Sequence, residues 1–242
     1  DEDDLTARGD EPAGSDITPD PVTQTGSFTV NALDGIASIK IGGIEAYITQ
    51  PIVSAFGTFT ITSLSAPADG NATAITVGYS YVLTDNTAHS NAAAENFLTE
   101  TFGIDVTDTD GSTDSATIEV RIVDDVPTAV GDGTTQAIEN SPVTIDVLSN
   151  DIKGADGVTN AAVALAPGSL IGTGTLVYNN DGTFTYTPAA GELGTVSFNY
   201  TITDGDGDPS TATATITLTA DSIPTVTVTD VTVNEEGLPA RG

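Results

Sequence analysis

The chain has 242 residues and a formal charge of −30, from 35 acidic and 5 basic side chains. It contains no Cys, which excludes disulfides, thiol nucleophiles and cysteine-based zinc sites. So few basic residues cannot neutralise a run of phosphates, and no apolar run approaches the roughly 20 residues of a membrane helix. We therefore expect no nucleic-acid partner and no membrane insertion.

The composition predicts an all-β protein with many turns. Thr, Val and Ile are abundant, and β-branched side chains fit a pleated, half-buried surface better than a helix. The 25 Gly and 12 Pro residues interrupt the chain every few positions, as turns between short strands require. Hydrophobic residues make up 38% of the chain and the acids are not in blocks, so we expect a folded protein.

Alternation of apolar and polar residues predicts strands with one buried and one solvated face. The alternating segments are residues 75–83, 116–123, 183–187, 196–202 and 211–219. Turn sequences such as Asn180-Asp-Gly182 separate them. Helical periodicity is weak, and residues 91–98 are the best candidate for one or two helical turns.

Internal repeats predict two related domains. Residues 102–111 match residues 198–207, and each match is followed by an alternating strand and then an acidic junction, at 124–128 or 221–225. Gly57-Thr-Phe-Thr60 likewise matches Gly182-Thr-Phe-Thr185. The spacing is that of immunoglobulin-like sandwiches of about 100 residues. Each junction contains a proline, which favours a short, semi-rigid linker.

The predicted fold is therefore two tandem immunoglobulin-like or cadherin-like β-sandwiches, joined end to end. We expect the first sandwich at residues 1–126, the second at 127–223 and the start of a next repeat unit at 224–242. Residues 2–9 resemble residues 235–242, so we expect the chain to be about one period of a longer tandem array. On this interpretation, residues 224–233 are the opening strand of the next unit, and the matching strand of the present unit lies upstream in the longer array.

Acidic residues concentrate in the loop before each final strand and in the junction after it. Because these two places lie at opposite poles of a sandwich, we predict separate acidic clusters at each pole. Junction acids could share an ion with loops of the following sandwich, through Glu139, Asp181 or Asp151 after the first junction and Glu235 after the second. The candidate ligands are Asp108, Asp110, Asp124, Asp125, Glu139, Asp151, Asp181, Asp204, Asp206, Asp208, Asp221 and Glu235.

Ca²⁺ is the cation that these residues favour. It takes about six to eight oxygen ligands in irregular cages, and closely spaced aspartates on a glycine-bearing turn supply such oxygens. Mg²⁺ demands octahedral geometry, and zinc finds no Cys and a single His, His89, which we expect to be a loop residue. The alternative is that the aspartates only form turns, since Asp-Gly is a common hairpin sequence.

Catalysis is not expected. No nucleophile and base stand in a recognisable pattern, and 35 acids create many carboxylate pairs by chance. With aromatic residues at 5%, the chain also lacks the stacking platforms that a sugar cleft usually uses.

The order of several segments is distinctive. In the second half these are Val123-Asp-Asp-Val-Pro-Thr-Ala129, Val143-Thr-Ile-Asp-Val-Leu-Ser-Asn-Asp151, Asp181-Gly-Thr-Phe-Thr-Tyr-Thr-Pro188 and Phe198-Asn-Tyr-Thr-Ile-Thr-Asp-Gly-Asp-Gly-Asp208. This series resembles the cadherin-like and VCBS-type repeats of giant bacterial surface adhesins. The first half, with Gly35-Ile-Ala-Ser-Ile-Lys-Ile-Gly-Gly43 and Tyr79-Ser-Tyr-Val-Leu-Thr-Asp-Asn-Thr-Ala-His-Ser90, resembles the repeat unit of type I-secreted RTX adhesins.

The resemblance implies a structural extender module of a Gram-negative cell-surface adhesin. Such modules are strung between a membrane anchor and a distal ligand-binding region, and they usually bind Ca²⁺ at or near domain junctions. That agrees with Asp124, Asp125 and Asp221 here. The expected location is the bacterial cell surface after type I secretion, the expected partners are neighbouring repeats of the same chain, and the chain itself is expected to be a monomer.

Two alternatives stay open from the sequence. One is a carbohydrate-binding or surface-binding Ig-like module of a secreted protein, and the other is an accessory domain of a secreted enzyme. A further open question is whether the tail at 224–242 docks on another molecule as an added strand.

Overall fold

The structure is a computed structural model that describes residues 2, 5–6, 14–15, 22–90, 96–220, 222–237 and 239. Within these residues the fold is all-β, as predicted, with two short 3-10 turns at Asn160–Ala162 and Glu235–Gly237 and no α-helix. None of the described segments forms a helix with the length and apolar character needed to cross a membrane.

The first sandwich is built from two four-stranded sheets. One sheet has the order β1-β6-β5-β4 and the other β3-β2-β7-β8, with antiparallel neighbours in both. The strands are β1 (Thr23–Asn31), β2 (Ile36–Ile41), β3 (Ile44–Glu45), β4 (Pro51–Val53), β5 (Gly57–Leu64), β6 (Ala74–Leu83), β7 (Phe97–Asp108) and β8 (Thr113–Val123).

The second sandwich pairs a three-stranded sheet with a four-stranded one. Their strands are β9 (Asp132–Thr135), β10 (Val143–Asp146), β11 (Val163–Leu165), β12 (Thr175–Tyr178), β13 (Thr183–Thr187), β14 (Gly194–Thr203) and β15 (Pro209–Leu218). The sheet orders are β10-β13-β12 and β11-β14-β15-β9. The short β9 runs parallel to β15, whereas the other neighbours are antiparallel.

Each sandwich has its own core between its two sheets. In the first, Phe59 of β5 meets Phe102 of β7 with ring centroids 4.8 Å apart. In the second, Phe184 of β13 meets Phe198 of β14 at 4.9 Å. Burying a side chain of this size contributes about 1.5–3 kcal/mol, so these aromatic contacts help to hold the paired sheets together.

The alternating sequences predicted the strands well. All five segments lie in β6, β8, β13, β14 and β15, although β15 ends at Leu218, one residue before the predicted end. The apolar set of β15 is buried at Ala214, Ile216 and Leu218, as the alternation requires. Residues 91–95 of the suggested helical segment lie outside the described residues, and residues 97 and 98 belong to β7, not to a helix.

The two sandwiches share a strand plan. Phe102 pairs with Ile118 across β7 and β8, and Phe198 pairs with Ala214 across β14 and β15, so positions 96 apart are equivalent (198 − 102 and 214 − 118). The match between residues 57–60 and 182–185 is wrong as a structural equivalence. In the second sandwich β13 pairs with β10, the first strand in the order of its sheet, and in the first sandwich β6 pairs with β1 in the same way. Residues 57–60 lie in β5, so they do not occupy the position that β13 occupies. Four residues are too few to identify a strand.

The final strands of the two sandwiches differ at their outer edges. β15 lies between β14 and β9 in its sheet. β8, its equivalent, pairs with β7 on one side, and no strand of the described chain pairs with its other side.

Candidate metal site between the two sandwiches

Loops from both sandwiches meet at the first junction. The β6–β7 loop and the residues after β8 contact the β14–β15 loop and the loop at residues 152–157. Asn86 Nδ2 donates to Asp156 Oδ1 at 2.8 Å, and the His89 backbone N–H donates to Asp206 Oδ2 at 2.9 Å. The aspartates of the second sandwich are thus tied to the first by hydrogen bonds.

Asp124 follows β8 directly and is only 1% exposed. Its backbone N–H donates to the Asn96 carbonyl at 3.0 Å, and Asn96 Nδ2 donates to its Oδ2 at 3.0 Å. Its Oδ1 is buried and has no hydrogen-bond partner. Asn96 therefore fixes the carboxylate in an orientation that leaves one buried oxygen available.

Asp204 follows β14 and is organised by its own loop. Its Oδ1 accepts hydrogen bonds from the backbone N–H groups of Gly207 at 2.9 Å and Asp208 at 2.7 Å. Its Oδ2 is buried without a hydrogen-bond partner. This turn holds Asp204, Asp206 and Asp208 so closely that one ligand oxygen from each lies within 4.8 Å of the others.

Two glycines allow the close approach of the loops at the junction. A Cβ at Gly205 would lie 2.8 Å from the carbonyl oxygen of Asp156, closer than real Cβ atoms come. Gly154 has a positive φ of 72°, and a Cβ there would lie 3.0 Å from the carbonyl oxygen of Asp125. The Asp-Gly pattern thus serves packing between loops as well as turn formation.

Glu2 and His89 complete one end of the site. Glu2 is fully buried, and its Oε1 accepts the backbone N–H of Thr87 at 2.8 Å and lies 3.5 Å from His89 Nε2. His89 Nδ1 lies 3.1 Å from Asn96 Oδ1, which is the acceptor end of that amide because Asn96 Nδ2 donates elsewhere. Glu2 Oε2 has no hydrogen-bond partner.

Asp125 is also buried at the junction, but its oxygens accept several hydrogen bonds. Its Oδ2 accepts the backbone N–H groups of Ser15 at 2.9 Å and Ala155 at 2.8 Å, and its Oδ1 accepts the Ser15 hydroxyl. Asp125 therefore links a segment near the N-terminus to the second sandwich.

We call the remaining group the junction cluster. It consists of Glu2, His89, Asp124, Asp156, Asp204, Asp206 and Asp208. Three overlapping sets connect it, and in each set the ligand atoms lie within 4.8 Å of one another: Glu2, His89 and Asp124; Asp124, Asp156 and Asp206; Asp204, Asp206 and Asp208. Besides the oxygens already named, Asp156 Oδ2 and Asp206 Oδ1 are buried without a hydrogen-bond partner.

Burial and mutual repulsion oppose ionisation of the cluster. Burial is the first cause that raises the pKa of Glu2 to about 8, and the charges of Asp156 and Asp124 add to it. Burial together with Asp208 and Asp206 raises the pKa of Asp124 to about 8. Burial and Asp206 raise the pKa of Asp204 to about 7. Without a cation, Glu2, Asp124 and Asp204 therefore hold protons at a pH where ordinary carboxyl groups are ionised.

The basic side chains that the structure describes, Lys40, Arg121 and Lys153, have contacts elsewhere. Lys40 pairs with Glu45 at 3.7 Å, and the Arg121 guanidinium lies 4.8 Å from the Phe97 ring centroid. The charge of Lys153 acts on Asp151. The contacts of these three side chains do not include the junction cluster, and buried carboxylates need protons or positive charge.

The residues present fit Ca²⁺. Six carboxyl groups converge there, several with a buried oxygen free of hydrogen bonds, and they come from loops that form an irregular cage. A single imidazole among six carboxyl groups does not match the nitrogen- and sulfur-rich sets that zinc prefers. The residues that would hold Ca²⁺ are Asp124, Asp156, Asp204, Asp206 and Asp208, with Glu2 at the His89 end.

Asp108 and Asp110 lie away from the junction cluster, on the turn between β7 and β8, and form a set with Asp34. Ser112 donates to both, from its N–H to Asp108 Oδ1 at 2.8 Å and from its hydroxyl to Asp110 Oδ1 at 2.8 Å. Those bonds to Ser112 lower the pKa of Asp110. The arrangement is that of an ordinary hydrogen-bonded turn.

The structure does not bring Glu139, Asp181 or Asp151 to the first junction. Glu139 Oε2 accepts the N–H of Ser222 at 2.8 Å, which places it at the second junction. Asp181 accepts the N–H and hydroxyl of Thr183 in an exposed turn.

Asp151 belongs to a different group, around Tyr200. Its Oδ1 accepts the N–H of Val130 at 2.7 Å and the Tyr200 hydroxyl at 3.0 Å. The expectation that Glu139, Asp181 or Asp151 completes the site at the first junction is therefore corrected. The β14–β15 loop takes that place, because it lies at the pole of the second sandwich that faces β8.

The two candidates at the second junction, Asp221 and Glu235, concern positions that the structure describes only in part. Asp221 lies outside the described residues. Glu235 begins the 3-10 turn Glu235–Gly237, and its side chain lies outside the described part of the chain.

Sequence reasoning missed Glu2, His89 and Asp156. The Asp156-Gly157 pair is a turn signal, but nothing in the sequence distinguished it from the many other Asp-Gly pairs. His89 is a loop residue, as expected, yet it is buried at the junction. Glu2 gave no signal, because its role depends on where the chain folds back.

Comparison with known proteins supports an Ig-like module. Residues 124–217 match the bacterial Ig domain family. That match covers the second sandwich and begins at Asp124. It fits a non-catalytic module of an extracellular or surface protein. A search of curated proteins found no match.

Solved structures similar to this chain include an endo-fucoidan hydrolase, MfFcnA4 of glycoside hydrolase family 107, at 17% identity and a TM-score of 0.30. Another is mouse clustered PcdhgC3 EC1-3, at 13% identity and a TM-score of 0.30. The overlays cover 82% and 76% of this chain, which spans only 27% and 56% of those two chains. With such TM-scores, neither bears on the activity of this chain.

Proposed function

We propose that this chain is a Ca²⁺-stabilised structural extender module of a bacterial cell-surface adhesin, which spaces a distal ligand-binding region from the cell. The observation that carries the proposal is the junction cluster, in which carboxyl groups of both sandwiches converge, several of them with a buried oxygen that accepts no hydrogen bond. A cation there would join the two sandwiches through ligands that each contributes.

The cation would act on both folding and stiffness. When bound, Ca²⁺ supplies positive charge and coordination to oxygens that otherwise repel one another. Asp124 and Asp206 would then be held together across the junction, and the angle between the sandwiches would become less variable. Since the site exists only in the folded chain, binding free energy adds to folding free energy.

This coupling suits a protein that folds outside the cell. With a charge of −30, the chain repels itself, and this repulsion opposes compaction when calcium is scarce. In a calcium-rich medium the cluster would be neutralised and the chain would fold. A chain with no Cys needs no oxidative step on that route. These properties support delivery to the cell surface by type I secretion.

The test is a Ca²⁺ titration of the full chain, with thermal unfolding and small-angle X-ray scattering measured on the same samples. At a thousandfold excess over Kd, binding contributes about 4 kcal/mol, which corresponds to a rise in Tm of about 10 °C. We expect this rise together with a longer, stiffer particle. Equal concentrations of Mg²⁺ should do much less, because Mg²⁺ requires octahedral geometry.

Matched variants locate the effect. Asp156→Asn removes one junction charge and should reduce the rise in Tm, whereas Asp181→Asn changes an exposed turn and should leave it unchanged. An equal Tm in EDTA and in millimolar Ca²⁺ would contradict the proposal. A higher Tm with an unchanged scattering profile would support the calcium site but contradict the claim that Ca²⁺ stiffens the junction.

The carbohydrate-binding alternative lacks a visible platform in the described residues. Tyr47 and Phe97 are the aromatic rings that are largely exposed there, and Arg121 lies over the Phe97 ring. Selective binding of this chain on a glycan array would nevertheless favour that alternative over the extender.

A further inference from the structure

The second sandwich holds its entering strand against its leaving strand. The chain enters this sandwich at the first junction and reaches β9, its first strand, and it leaves through the end of β15, its last strand. β9 lies beside β15 in one sheet and runs parallel to it, with Asp132 opposite Ala214 and Thr135 opposite Thr217. Tension along the chain therefore reaches this pair of strands from its two opposite ends.

The parallel orientation determines how tension acts on the pair. The load pulls β9 backwards from its first residue and β15 forwards from its last, so the two strands are made to slide past each other. Hydrogen bonds between parallel strands are evenly spaced along both of them, so the bonds share this load. In an antiparallel pair the two loaded ends would lie side by side, and the bonds would open one after another. Sliding of β15 also requires Ala214, Ile216 and Leu218 to leave the core, where all three are buried.

Gln136 extends the pairing beyond the last residue of β9. Its backbone N–H donates to the Thr217 carbonyl at 2.9 Å, and its own carbonyl accepts the Thr219 hydroxyl. The residue is only 4% exposed, and its Oε1 accepts the Thr219 backbone N–H at 3.0 Å while its Nε2 donates to the Ser141 carbonyl at 2.7 Å. Buried hydrogen bonds are stronger than solvated ones because the local dielectric is low. Gln136 therefore fixes the end of β9 to the end of β15.

The segment that leads into β9 is fixed as well. Thr128 and Ile152 exchange two backbone hydrogen bonds, at 2.8 and 3.0 Å. The Ala129 N–H donates to Ser210 Oγ of β15 at 2.9 Å. Contacts with the body of the second sandwich thus begin at the junction and continue to Gln136. The load reaches β9 through a segment that is itself hydrogen-bonded to the sandwich.

We propose that these strands form a mechanical clamp, which keeps the second sandwich folded when the chain is pulled from both ends. The clamp consists of residues 132–135 paired with residues 214–217, together with Gln136 bonded to Thr219. Its use rests on the proposed extender function, since a module between a cell and a distal ligand-binding region carries the tension between them. The clamp itself is made of strand pairing and needs no cation at the junction cluster.

Single-molecule force spectroscopy of the full chain, held by linkers at its two ends, tests the clamp. Unfolding of residues 128–219 should lengthen the chain by on the order of 300 Å, because each extended residue spans roughly 3.3–3.6 Å. A disulfide between Thr135→Cys and Thr217→Cys identifies this event, since the two positions are paired and exposed and neighbouring strands lie about 4.8 Å apart. Oxidation should remove nearly all of the gain in length, and reduction should restore it. If no event disappears on oxidation, the sandwich extends without resistance and the proposal is wrong.

A change in the direction of the load provides the control. Leu193 is 58% exposed and precedes Gly194, which pairs with Leu218 at the leaving end of β15. Linkers at Leu193→Cys and at the C-terminus pull the antiparallel strands β14 and β15 apart from one end, so their bonds open one after another. We expect the same sandwich to unfold at a force several times lower than when the chain is held by its two ends. Equal forces in the two directions would overturn the proposal.

Matched variants test the contribution of Gln136. Gln136→Met keeps the length of the side chain and removes its amide hydrogen bonds, which should raise the unfolding rate under a given force by about tenfold or more. Tyr186→Phe is the control, since it removes a hydroxyl that bonds with Glu192 and the Gly174 N–H in the same sandwich but outside the clamp. It should lower the Tm by a comparable amount and leave the unfolding rate under force unchanged. A similar rise in both variants, or no rise in Gln136→Met, would contradict the clamp.

Measurements in millimolar Ca²⁺ and in EDTA separate the clamp from the calcium site. The difference in force between the two directions of pulling should persist in EDTA, because the clamp consists of strand pairing. A difference between the directions, together with a Tm that does not respond to Ca²⁺, would support the clamp and contradict the calcium site. Equal forces in both directions, together with a Tm that rises with Ca²⁺, would support the calcium site and overturn the clamp.

Discussion

The two equivalent acidic turns of this chain have different surroundings. Asp108-Thr-Asp110-Gly and Asp204-Gly-Asp206-Gly follow equivalent strands at positions 96 apart. In the first turn Asp110 is exposed and bonded to Ser112. In the second, Asp204 is buried, and Asp206 of the same turn has a ligand oxygen within 4.8 Å of one of Asp124 in the other sandwich. The same motif is therefore a solvated turn at one pole and part of a candidate metal site at the other.

The residue between the two aspartates also differs between the turns. Gly205 lets the second turn lie against the Asp156 carbonyl, where a Cβ would be 2.8 Å from the oxygen. Thr109 holds the equivalent position and donates instead to the Asp34 carbonyl at 2.8 Å. The residue between the aspartates thus contacts a different neighbouring loop in each turn, the loop at Asp156 in the second and the loop at Asp34 in the first. A Ca²⁺ prediction from Asp spacing alone misses this distinction.

Placing the threonine of the first turn at the equivalent position of the second turn, Gly205, should have the largest effect on the calcium-dependent stability. Gly205→Thr places side-chain atoms against the Asp156 carbonyl and separates the loops. We expect it to abolish the calcium-dependent part of the stability, about 4 kcal/mol at a thousandfold excess over Kd, and to add a smaller overlap cost. Thermal unfolding with and without Ca²⁺ measures both.

Gly103→Ala provides the control for Gly205→Thr. It lies on β7, and a Cβ there meets nothing within 4 Å. It should leave the calcium-dependent rise in Tm intact. A normal calcium response in Gly205→Thr would show that close approach of these loops is not needed.

The pH dependence should be smaller and should distinguish protons from a cation. The folded pKa values of Glu2 and Asp124 are about 8, and that of Asp204 is about 7, against ordinary values of 4.5 and 3.8. In EDTA the folded chain therefore binds more protons than the unfolded chain at any pH between the ordinary and the raised pKa values. The stabilisation that these bound protons give to the folded chain is complete below the ordinary pKa values. It is lost as the pH rises through the raised pKa values of 7 to 8.

We therefore expect Tm in EDTA to fall between pH 6 and pH 8.5, where ordinary carboxyl groups no longer titrate. The rise in Tm on adding Ca²⁺ should grow over the same interval, because the cation requires ionised ligands. Differential scanning fluorimetry at constant ionic strength measures both trends. A Tm in EDTA that increases with pH would mean that the cluster is not held protonated.

The reciprocal substitution should have the smallest effect. Thr109→Gly removes the hydrogen bond to the Asp34 carbonyl and loosens an exposed turn, at a cost of about 1 kcal/mol. Because the loop that approaches this turn, at Asp34, belongs to the same sandwich and not to the junction cluster, the calcium response should not change. Urea unfolding with and without Ca²⁺ tests this, and a gain of calcium binding would contradict the explanation based on surroundings.

Much of the fold could be predicted because it depends on local patterns. Ala214, Ile216 and Leu218 alternate with threonines, and that period alone places β15 on a half-buried sheet. The repeated 102–111 and 198–207 segments likewise gave the right equivalence, since each extends over a strand and a turn. The four-residue match at 57–60 failed because it covered part of one strand only.

The candidate site could be predicted only in part. Asp124, Asp204, Asp206 and Asp208 were recognisable from their turns and their place at the junction. Asp156 and Glu2 were not, because they join the cluster through contacts between distant segments, such as Asn86 with Asp156 and Thr87 with Glu2. Convergence of side chains from five separate segments is a tertiary property, which one sequence does not reveal.

Isothermal titration calorimetry of Ca²⁺ binding to Asp206→Asn and Asp110→Asn, beside the wild type, tests the central claim most directly. The two positions are equivalent, and each substitution removes one charge while keeping the side-chain shape. We expect Asp110→Asn to match the wild type, and Asp206→Asn to bind at least about tenfold more weakly, since a lost charged ligand costs at least about 1.4 kcal/mol. Wild-type affinity in Asp206→Asn, or a loss confined to Asp110→Asn, would contradict a calcium site at the junction.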